Sequence, residues 1–270
     1  MGLLQLKRLM LGRNTILSLP PSVSYDSNAL AYISAVETAD GQALETGVRN
    51  AINAFVVGCK ADGTWNAIKA CCILSGARTL SGALVPLAGT APTNNNFVSG
   101  DYDRKTGLVG NKITKYLDSN RQNAADPQNN KHHACFVSAV DSLSGVYMAG
   151  GINGYTGIFK TTSSLSGYIS SGTQGITVAN QGNTSGLKGV TRSNSSQSSL
   201  LSGGIITNGN TTSVAENTTQ TIAIFAQNYN GITLYSNARL AFYSIGESLD
   251  LALLNTRVST LISTFAAVIP

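Results

Sequence analysis

The sequence predicts a mainly β protein: a jelly-roll-like sandwich with two helices before it and one helix after it. Short apolar runs recur at strand-like spacing, and turn-forming pairs such as Asn-Gly and Gly-Asn separate several of them. Charged residues make up only 11% of the chain, against about 25% in an ordinary soluble domain. Just five of them lie between Asp141 and Tyr235. This composition favours many strands joined by polar turns and offers little to a catalytic site.

Residues 1–25 form the first predicted segment, an arm that is both apolar and basic. The arm has three basic residues, no acidic residue and a Pro20-Pro21 stop, and it cannot make a core of its own. We predict that it anchors the protein to a larger assembly; a frayed tail is the alternative. The side chains predicted to form the anchor are Leu3, Leu4, Leu6, Lys7, Arg8, Leu9 and Arg13.

Residues 26–69 are predicted to form a helical segment that packs on the sandwich. Asp26 or Ser27 can cap a first short helix, which Asp40-Gly41 ends. Its apolar side chains are Leu30, Ile33 and Val36. A second helix places Leu44, Val48, Ala51, Ile52 and Phe55 on one face at three- and four-residue spacing. Gly58 is predicted to end this second helix in the C′ position.

Residues 70–246 are predicted to form the sandwich itself, which begins with a buried strand at Cys71–Leu74. Further strands are predicted at Ala83–Leu87, Lys115–Leu117, His132–Val140, Gly145–Ala149, Gly157–Lys160, Tyr168–Ser170, Gly175–Ala179, Leu187–Arg192, Gly204–Thr207, Thr219–Ala226 and Ala238–Ile245. Such regular spacing favours two packed sheets. Residues 247–270 predict a closing helix that packs on the sandwich, with Leu251, Leu254, Val258, Leu261, Phe265 and Val268 along one face.

Several classes of function lack their sequence signals. The chain contains no nucleotide-binding glycine loop and no G-x-S-x-G elbow. No uninterrupted apolar run reaches about 18 residues, so no membrane partner is expected. The net charge is +5, yet no cluster of Lys and Arg is longer than the pair Lys7-Arg8, which argues against a specific nucleic-acid partner. The four cysteines form no C-x-x-C pair and are expected to be free thiols in a reducing compartment. We therefore predict a protein that is not an enzyme.

A ligand site is predicted only weakly, at Asp101, Tyr102, Asp103, His132 and Tyr155. Asp101 and Asp103 could share a face and bind Ca²⁺ together with asparagine oxygens, although a turn capped by aspartates is the commoner use of this pattern. His132 follows a turn, and a structural histidine at a strand start is the simpler interpretation. Lectin sites pair aromatic rings with polar side chains, and tyrosines beside Gly, Asn and Ser are candidates for contact with a sugar. They are Tyr102, Tyr147, Tyr155, Tyr168, Tyr229 and Tyr235. For most of them, capping the sandwich core is the simpler interpretation.

Two stretches resemble concanavalin A-like (laminin G-like) sandwich domains. They are GLVGNKITKYLDSNR, residues 107–121, and ARLAFYSIG, residues 238–246, with the helix that follows. Within that group, AYISAVE at residues 31–37 and FVSGDYDRKTG at residues 97–107 resemble proteins of bacteriophages and other viruses. The resemblance covers about residues 28–265. It transfers no ligand set residue by residue.

The resemblance implies a structural component of a bacteriophage particle, either a tail or fibre part or a capsid decoration. Other virion proteins would bind residues 1–25, and the sandwich would be displayed outward after synthesis in the host cytoplasm. By analogy alone, a homo-oligomer, such as a trimer, is expected. Two alternatives stay open: an adhesin that binds a host surface glycan, and a polysaccharide-degrading enzyme, which would need paired carboxylates across a cleft. Ca²⁺ is the one cofactor that such glycan-binding domains suggest.

Overall fold

The computed structural model describes residues 24–216 and 218–270, and these form a two-sheet β-sandwich with helices on one side. The prediction of a mainly β sandwich with helices before and after it is confirmed. The helices are α1 (Ser27–Asp40), α2 (Thr46–Ala61), α3 (Leu80–Ala83) and α4 (Leu251–Val268). Short 3₁₀ turns occur at Trp65–Ala67, Ser99–Asp101 and Asn123–Ala125. The anchor residues predicted between Leu3 and Arg13 lie outside the described residues.

The strands follow one another mostly through short turns. In chain order they are β1 (Ile68–Ile73), β2 (Pro86–Ala88), β3 (Thr93–Asn95), β4 (Tyr102–Asp103), β5 (Gly107–Val109), β6 (Tyr116–Gln122), β7 (Lys131–Ala139), β8 (Gly145–Gly150), β9 (Tyr155–Lys160), β10 (Leu165–Ser171), β11 (Ile176–Val178), β12 (Gly186–Arg192), β13 (Gln197–Ser202), β14 (Ile205–Asn210), β15 (Thr221–Ile224), β16 (Gln227–Asn228), β17 (Ile232–Thr233) and β18 (Arg239–Gly246).

The two sheets differ in what covers them. The covered sheet has the order β14-β13-β12-β7-β18-β1-β2, with β5 beside β18 and β4 beside β5. The open sheet has the order β11-β10-β9-β8-β15-β6-β3, with β16 beside β8 and β17 beside β16. Among the described residues the pairing is antiparallel except between β8 and β16. Long connections between strands that pair, such as β7 with β18, make the topology non-local.

Two hydrophobic cores lie on opposite faces of the covered sheet. One core fills the space between the two sheets, where Val137 and Tyr243 of the covered sheet meet Met148 and Ile158 of the open sheet. The other core joins α1, α2 and α4 to the outer face of the covered sheet and contains no residue of the open sheet. The helices therefore form a third layer on one side, and within residues 24–216 and 218–270 no helix covers the outer face of the open sheet.

The helix boundaries follow the predicted caps with two corrections. The Asp26 side chain accepts a hydrogen bond from the Asn28 amide and begins α1, which ends at Gly41 with φ +65°. Of the apolar side chains assigned to α1, Ile33 and Val36 are buried and Leu30 is exposed, while Tyr32 also lies in the core. Gly58 does not end α2, which continues to Ala61. A β-carbon at Gly58 would lie 2.7 Å from the Arg257 side chain, so the glycine makes room for that side chain where α2 packs against α4.

Two strand predictions also need correction. Most of the predicted strand at 83–87 is replaced by α3 and the turn after it, and only β2 at Pro86–Ala88 is extended. The cause is a cap: the Thr79 hydroxyl accepts from the Gly82 amide and donates to Asp40. Strand β13 was not predicted, because its sequence QSSLLS is rich in serine and resembles a loop. In the sheet, β13 pairs with both β12 and β14.

By length and hydropathy alone, α4 could span a membrane; it is the one helix among the described residues that passes that test. In the structure its apolar stripe packs on the protein. Leu254, Val258 and Phe265 are fully buried in the core formed by the helices. The four cysteines are also buried and free, as expected for small apolar residues. Burial raises the pKa of the Cys59 thiol to about 11.

Candidate functional site

The acidic pair singled out from the sequence is occupied by contacts within its own loop. Asp101 accepts from the Val98 amide at 2.8 Å and pairs with the Lys115 ammonium at 2.5 Å. Asp103 accepts from the amide and the hydroxyl of Thr106 at 2.8 and 2.7 Å. Within residues 24–216 and 218–270, no cluster of three or more His, Cys, Asp or Glu side chains could hold a metal ion. The two aspartates shape a turn, which matches the commoner interpretation of this pattern.

Tyr102 is half-buried and His132 is fully buried, and both side chains hydrogen-bond within the protein. The Tyr102 hydroxyl donates to the Ala77 carbonyl at 2.8 Å. His132 is fully buried, with Nδ1 2.6 Å from the Glu247 carbonyl and Nε2 2.7 Å from the Ser244 hydroxyl. Burial lowers the pKa of this imidazole to about 4, so it is neutral near pH 7. Since both ring nitrogens have partners in the protein, His132 has none left for a ligand.

Tyr155 has a different setting, on the outer face of the open sheet. Residues 155, 157 and 159 of β9 share that face because side chains alternate along a strand, whereas Ile158 points into the core between the sheets. The Tyr155 ring centroid lies 5.5 Å from that of Phe159 and 5.2 Å from that of Tyr168 on β10. Phe159 and Tyr168 meet edge to face at 5.6 Å. Together the three rings form the aromatic cluster of this face.

A groove of about 400 Å³ adjoins the aromatic cluster at the end of the open sheet where β8 begins and β9 ends. The apolar part of its lining includes Val146, Phe159, Leu234 and Tyr235. Tyr235 in turn packs edge to face on Tyr116, with 6.2 Å between their centroids. The polar part of the lining is Lys112, Ser144, Gly145, Lys160 and Thr161. Aromatic surface with a few polar groups is typical of small-ligand sites.

A buried carboxylate organises the polar end of this groove. Asp141 is almost fully buried, and its Oδ1 accepts from the Lys112 ammonium at 2.6 Å. Its Oδ2 accepts from the Asn237 amide at 3.0 Å. The Lys160 ammonium donates to the carbonyls of Leu143 and Thr161 at 2.8 and 3.3 Å. Burial lowers the pKa of Lys160, and the nearby Asp141 opposes that shift.

Two glycines and one strained residue shape the groove. A β-carbon at Gly157 would lie 2.4 Å from the Phe159 ring, so the glycine leaves room for that ring to lie across the strand. A β-carbon at Gly145 would lie 2.1 Å from the Asp141 carboxylate. Leu234 adopts φ +49°, which is uncommon for a branched side chain, just before Tyr235. Such strain tends to be concentrated at functional sites.

Of the five residues predicted for a ligand site, the structure brings Tyr155 to this face; of the wider set of tyrosines, Tyr168 joins the aromatic cluster and Tyr235 lines the groove. Asp101, Tyr102, Asp103 and His132 do not line the groove. Sequence reasoning missed Phe159, Lys112 and Lys160. For Phe159 a signal existed: Tyr155 and Phe159 are four residues apart, so on one strand they share a face, and Ile158 points to the opposite face. Nothing in the sequence indicated that Lys112 and Tyr235, far apart in the chain, would meet Phe159.

Comparison with known proteins finds similarity of fold only. No protein-family model matches the sequence, and no curated protein sequence matches it. A NanB sialidase from Streptococcus pneumoniae is similar at 12% identity and a TM-score of 0.43, over 55% of this chain and 26% of that chain. A mutant Trypanosoma rangeli sialidase has 11% identity and a TM-score of 0.49, over 79% and 39% of the two chains. The CBM40 of Ruminococcus gnavus IT-sialidase has 8% identity and a TM-score of 0.38, over 58% and 96%.

This chain therefore spans about a quarter of the pneumococcal sialidase and about two fifths of the trypanosomal one. At these identities and TM-scores the likeness carries no information about the activity of this chain.

Proposed function

We propose that this protein is a non-enzymatic saccharide-binding module that takes its ligand in the groove of the open sheet. The observation that carries the proposal is the pair of aromatic side chains, Phe159 and Tyr235, that line one groove together with hydrogen-bonding groups. A sugar ring has an apolar C–H face that stacks on an aromatic ring and hydroxyls at its edge that need polar partners. Ser144 and Thr161 supply such partners beside the two rings.

The chemistry of the groove favours binding over hydrolysis. Glycoside hydrolysis uses two carboxyl groups about 5–9.5 Å apart across the substrate. No carboxylate is among the described residues that line the groove. Asp141 lies behind the lining, where Lys112 and backbone amides occupy both of its oxygens. A polysaccharide-degrading enzyme remains the alternative from the sequence, and it would have to use a pair of acids elsewhere.

The binding proposal is tested by removing one ring of the groove. Phe159→Ala is expected to weaken binding to those glycans of an array that the unchanged protein retains by about tenfold, because it removes the stacking surface. Tyr25→Ala is the matched control, since Tyr25 packs on the helix layer beside Asn50 and Arg49. An unchanged protein that retains no glycan would contradict the proposal.

The enzyme alternative is tested with the same variants and with a variant in which two aspartates are replaced, by measuring hydrolysis of the retained glycan. Asp101→Asn with Asp103→Asn would abolish hydrolysis if these residues were catalytic. A binding module would release no reducing ends from the retained glycan, with or without that double change. Release that the double variant abolishes would replace the binding proposal with an enzymatic one.

We further propose that the module is displayed on a bacteriophage particle, anchored through residues 1–25 and assembled with other copies of itself. This part rests on the resemblance of the sequence to viral sandwich proteins and on one feature of the fold. Residue 25, where the arm ends, packs on α2: the Tyr25 hydroxyl donates to Asn50 at 2.7 Å. The groove lies on the opposite side of the sandwich. An arm fixed to a particle at the helix layer would leave the groove facing outward.

A further inference from the structure

We infer that the groove selects saccharides that carry a carboxylate, with Lys112 and Lys160 as the groups that recognise it. The inference rests on the proposed function, because it concerns the ligand class of the same groove. Aromatic residues alone would accept neutral sugars of many kinds. The two ammonium groups at one end of the groove add a requirement that a neutral sugar does not meet.

The hydrogen-bonding capacity of the two lysines is only partly used inside the protein. An ammonium group has three N–H donors. Lys112 donates to Asp141 and to the Ser144 carbonyl, and Lys160 donates to the carbonyls of Leu143 and Thr161. Each lysine therefore retains one N–H beyond its internal partners. Both residues line the groove, Lys112 with a partly exposed side chain and Lys160 with an almost fully buried one. Two donors at one end of a cavity match the two oxygens of a carboxylate.

The charge balance at this end of the groove is positive. Asp141 is the one acidic group that acts on Lys160, and Lys112 is the other charged group near it. Two ammonium groups and one carboxylate leave a net charge of about +1. Asp141 cannot move toward the ligand or toward solvent because the backbone amides of Leu143 and Asn237 also hold it. An anionic ligand would complete the charge balance, and charge-assisted hydrogen bonds of this kind are the stronger ones.

The positions of the rings and the lysines define how such a sugar would lie. Phe159 and Lys160 are consecutive on β9, so their side chains leave the strand on opposite faces: the Phe159 ring lies on the outer face, and the buried Lys160 lines the groove at the end of the strand. The apolar face of the sugar would pack on Phe159 and Tyr235, and its carboxylate would point toward Lys112 and Lys160. Ser144 and Thr161 would be left for hydroxyls. Each polar group of the groove lining then has a partner on one acidic sugar.

The test compares sugars that differ only in the carboxylate. The probes are glucuronate- and sialate-terminated glycans, the same glycans with the carboxyl group reduced to an alcohol, and sulfated glycans. We expect the carboxylated forms to bind at least about tenfold more tightly than the reduced forms, with affinity that falls as NaCl rises.

The variant for this test is Lys160→Met, because the internal partners of Lys160 are carbonyls and its loss leaves Asp141 paired with Lys112. It should remove the preference for carboxylated glycans and keep the binding of reduced ones, while Lys160→Arg should restore part of the preference. Lys69→Met is the control of equal charge, since Lys69 pairs with Glu247 on the covered sheet.

The outcomes separate this inference from the proposed function. Equal binding of carboxylated and reduced glycans, unaffected by Lys160→Met, would overturn the inference and leave the saccharide-binding proposal intact. Binding of sulfated glycans alone would also overturn the assignment of a carboxylate. Binding of no glycan at all would overturn both.

Discussion

Several of the few charged side chains of this protein are buried, and they hold the edges of the sandwich together. The Arg192 guanidinium on β12 donates to the Ile169 carbonyl of the open sheet and to the carbonyl and hydroxyl of Thr211. Lys188, four residues earlier on the same strand, donates to the hydroxyls of Thr184 and Ser202. Because carbonyls and hydroxyls satisfy these cations, the pairing needs no acidic residues. This explains how a chain with so few acids can bury basic side chains.

The buried imidazole of His132 is expected to lower the free energy of unfolding as the pH becomes acidic. Its pKa is lowered from 6.5 to about 4 by burial. Between these values the unfolded chain binds a proton that the folded protein does not, so stability is lost as pH falls from 6.5 toward 4. The loss from one such group is of the order of 3 kcal/mol, since one pKa unit corresponds to about 1.4 kcal/mol.

The measurement is the free energy of unfolding in urea at pH 7 and at pH 4.5, for the unchanged protein and for His132→Asn. The variant is expected to be less stable at pH 7, because the hydrogen bonds to Glu247 and Ser244 are lost or weakened. It should nevertheless lose less stability between the two pH values. An identical loss in both proteins would show that His132 does not carry this dependence.

At the scale of the element, strand β9 contributes the groove only because position 157 is a glycine. Gly157→Ala would place a methyl group 2.4 Å from the Phe159 ring and 2.6 Å from the Ala149 side chain. We expect the ring to be displaced and glycan binding to fall by about tenfold or more. The protein should remain folded, because this face of the open sheet lies outside both cores.

Gly172→Ala is the matched control for this change in the groove. It lies just beyond β10, and its β-carbon would contact only Val214, at an ordinary 3.6 Å. Binding and circular dichroism are measured for both variants. Retained binding in Gly157→Ala would show that the position of Phe159 does not matter to the ligand.

Helix α4 stabilises the covered sheet through one stripe of buried side chains. Phe265 is fully buried, and its ring contacts the position of Gly76 so closely that a β-carbon there would lie 2.7 Å away. Phe265→Ala is expected to lower the free energy of unfolding by about 3–5 kcal/mol, as for other large core residues. Leu253→Ala, on the exposed side of the same helix, should change it by no more than about 0.5 kcal/mol. Equal effects would mean that α4 does not pack as described.

At the scale of the whole molecule, the helix layer and the groove occupy opposite sides, which would separate the proposed anchoring from the proposed binding. A variant that lacks residues 1–25 is expected to keep the fold and to bind glycans as the full-length protein does. It should no longer join assembled virus particles, whereas the full-length protein should be present at a fixed copy number, in multiples of three if the assembly is threefold. The measurement is quantitative mass spectrometry of purified particles. If neither form joins any particle, the proposal of a virion component fails.

The sequence alone was sufficient for the class of fold and for most of its elements. Strand periodicity, turn pairs and helix caps are local signals, and they predicted α1, α2, α4 and strands such as β7 and β18. Local signals failed where a distant group decides the outcome. Gly58 leaves room for the Arg257 side chain of α4 and does not end α2, and Asp40 of α1 holds the cap of α3. Strand β13 was missed because its apolar residues are few, and its pairing with β12 and β14 makes it a strand.

The sequence by itself thus determined that this chain folds as a two-sheet sandwich with helices at both ends, because apolar periodicity and turn chemistry lie within short stretches. Only the tertiary structure decided which sheet the helices cover and which face is left open. It also decided that Tyr155, unlike Asp101, Tyr102, Asp103 and His132, lies on that face. The groove combines Lys112, Phe159 and Tyr235 from three separate parts of the chain, and their proximity follows from the pairing of distant strands, which no local pattern encodes.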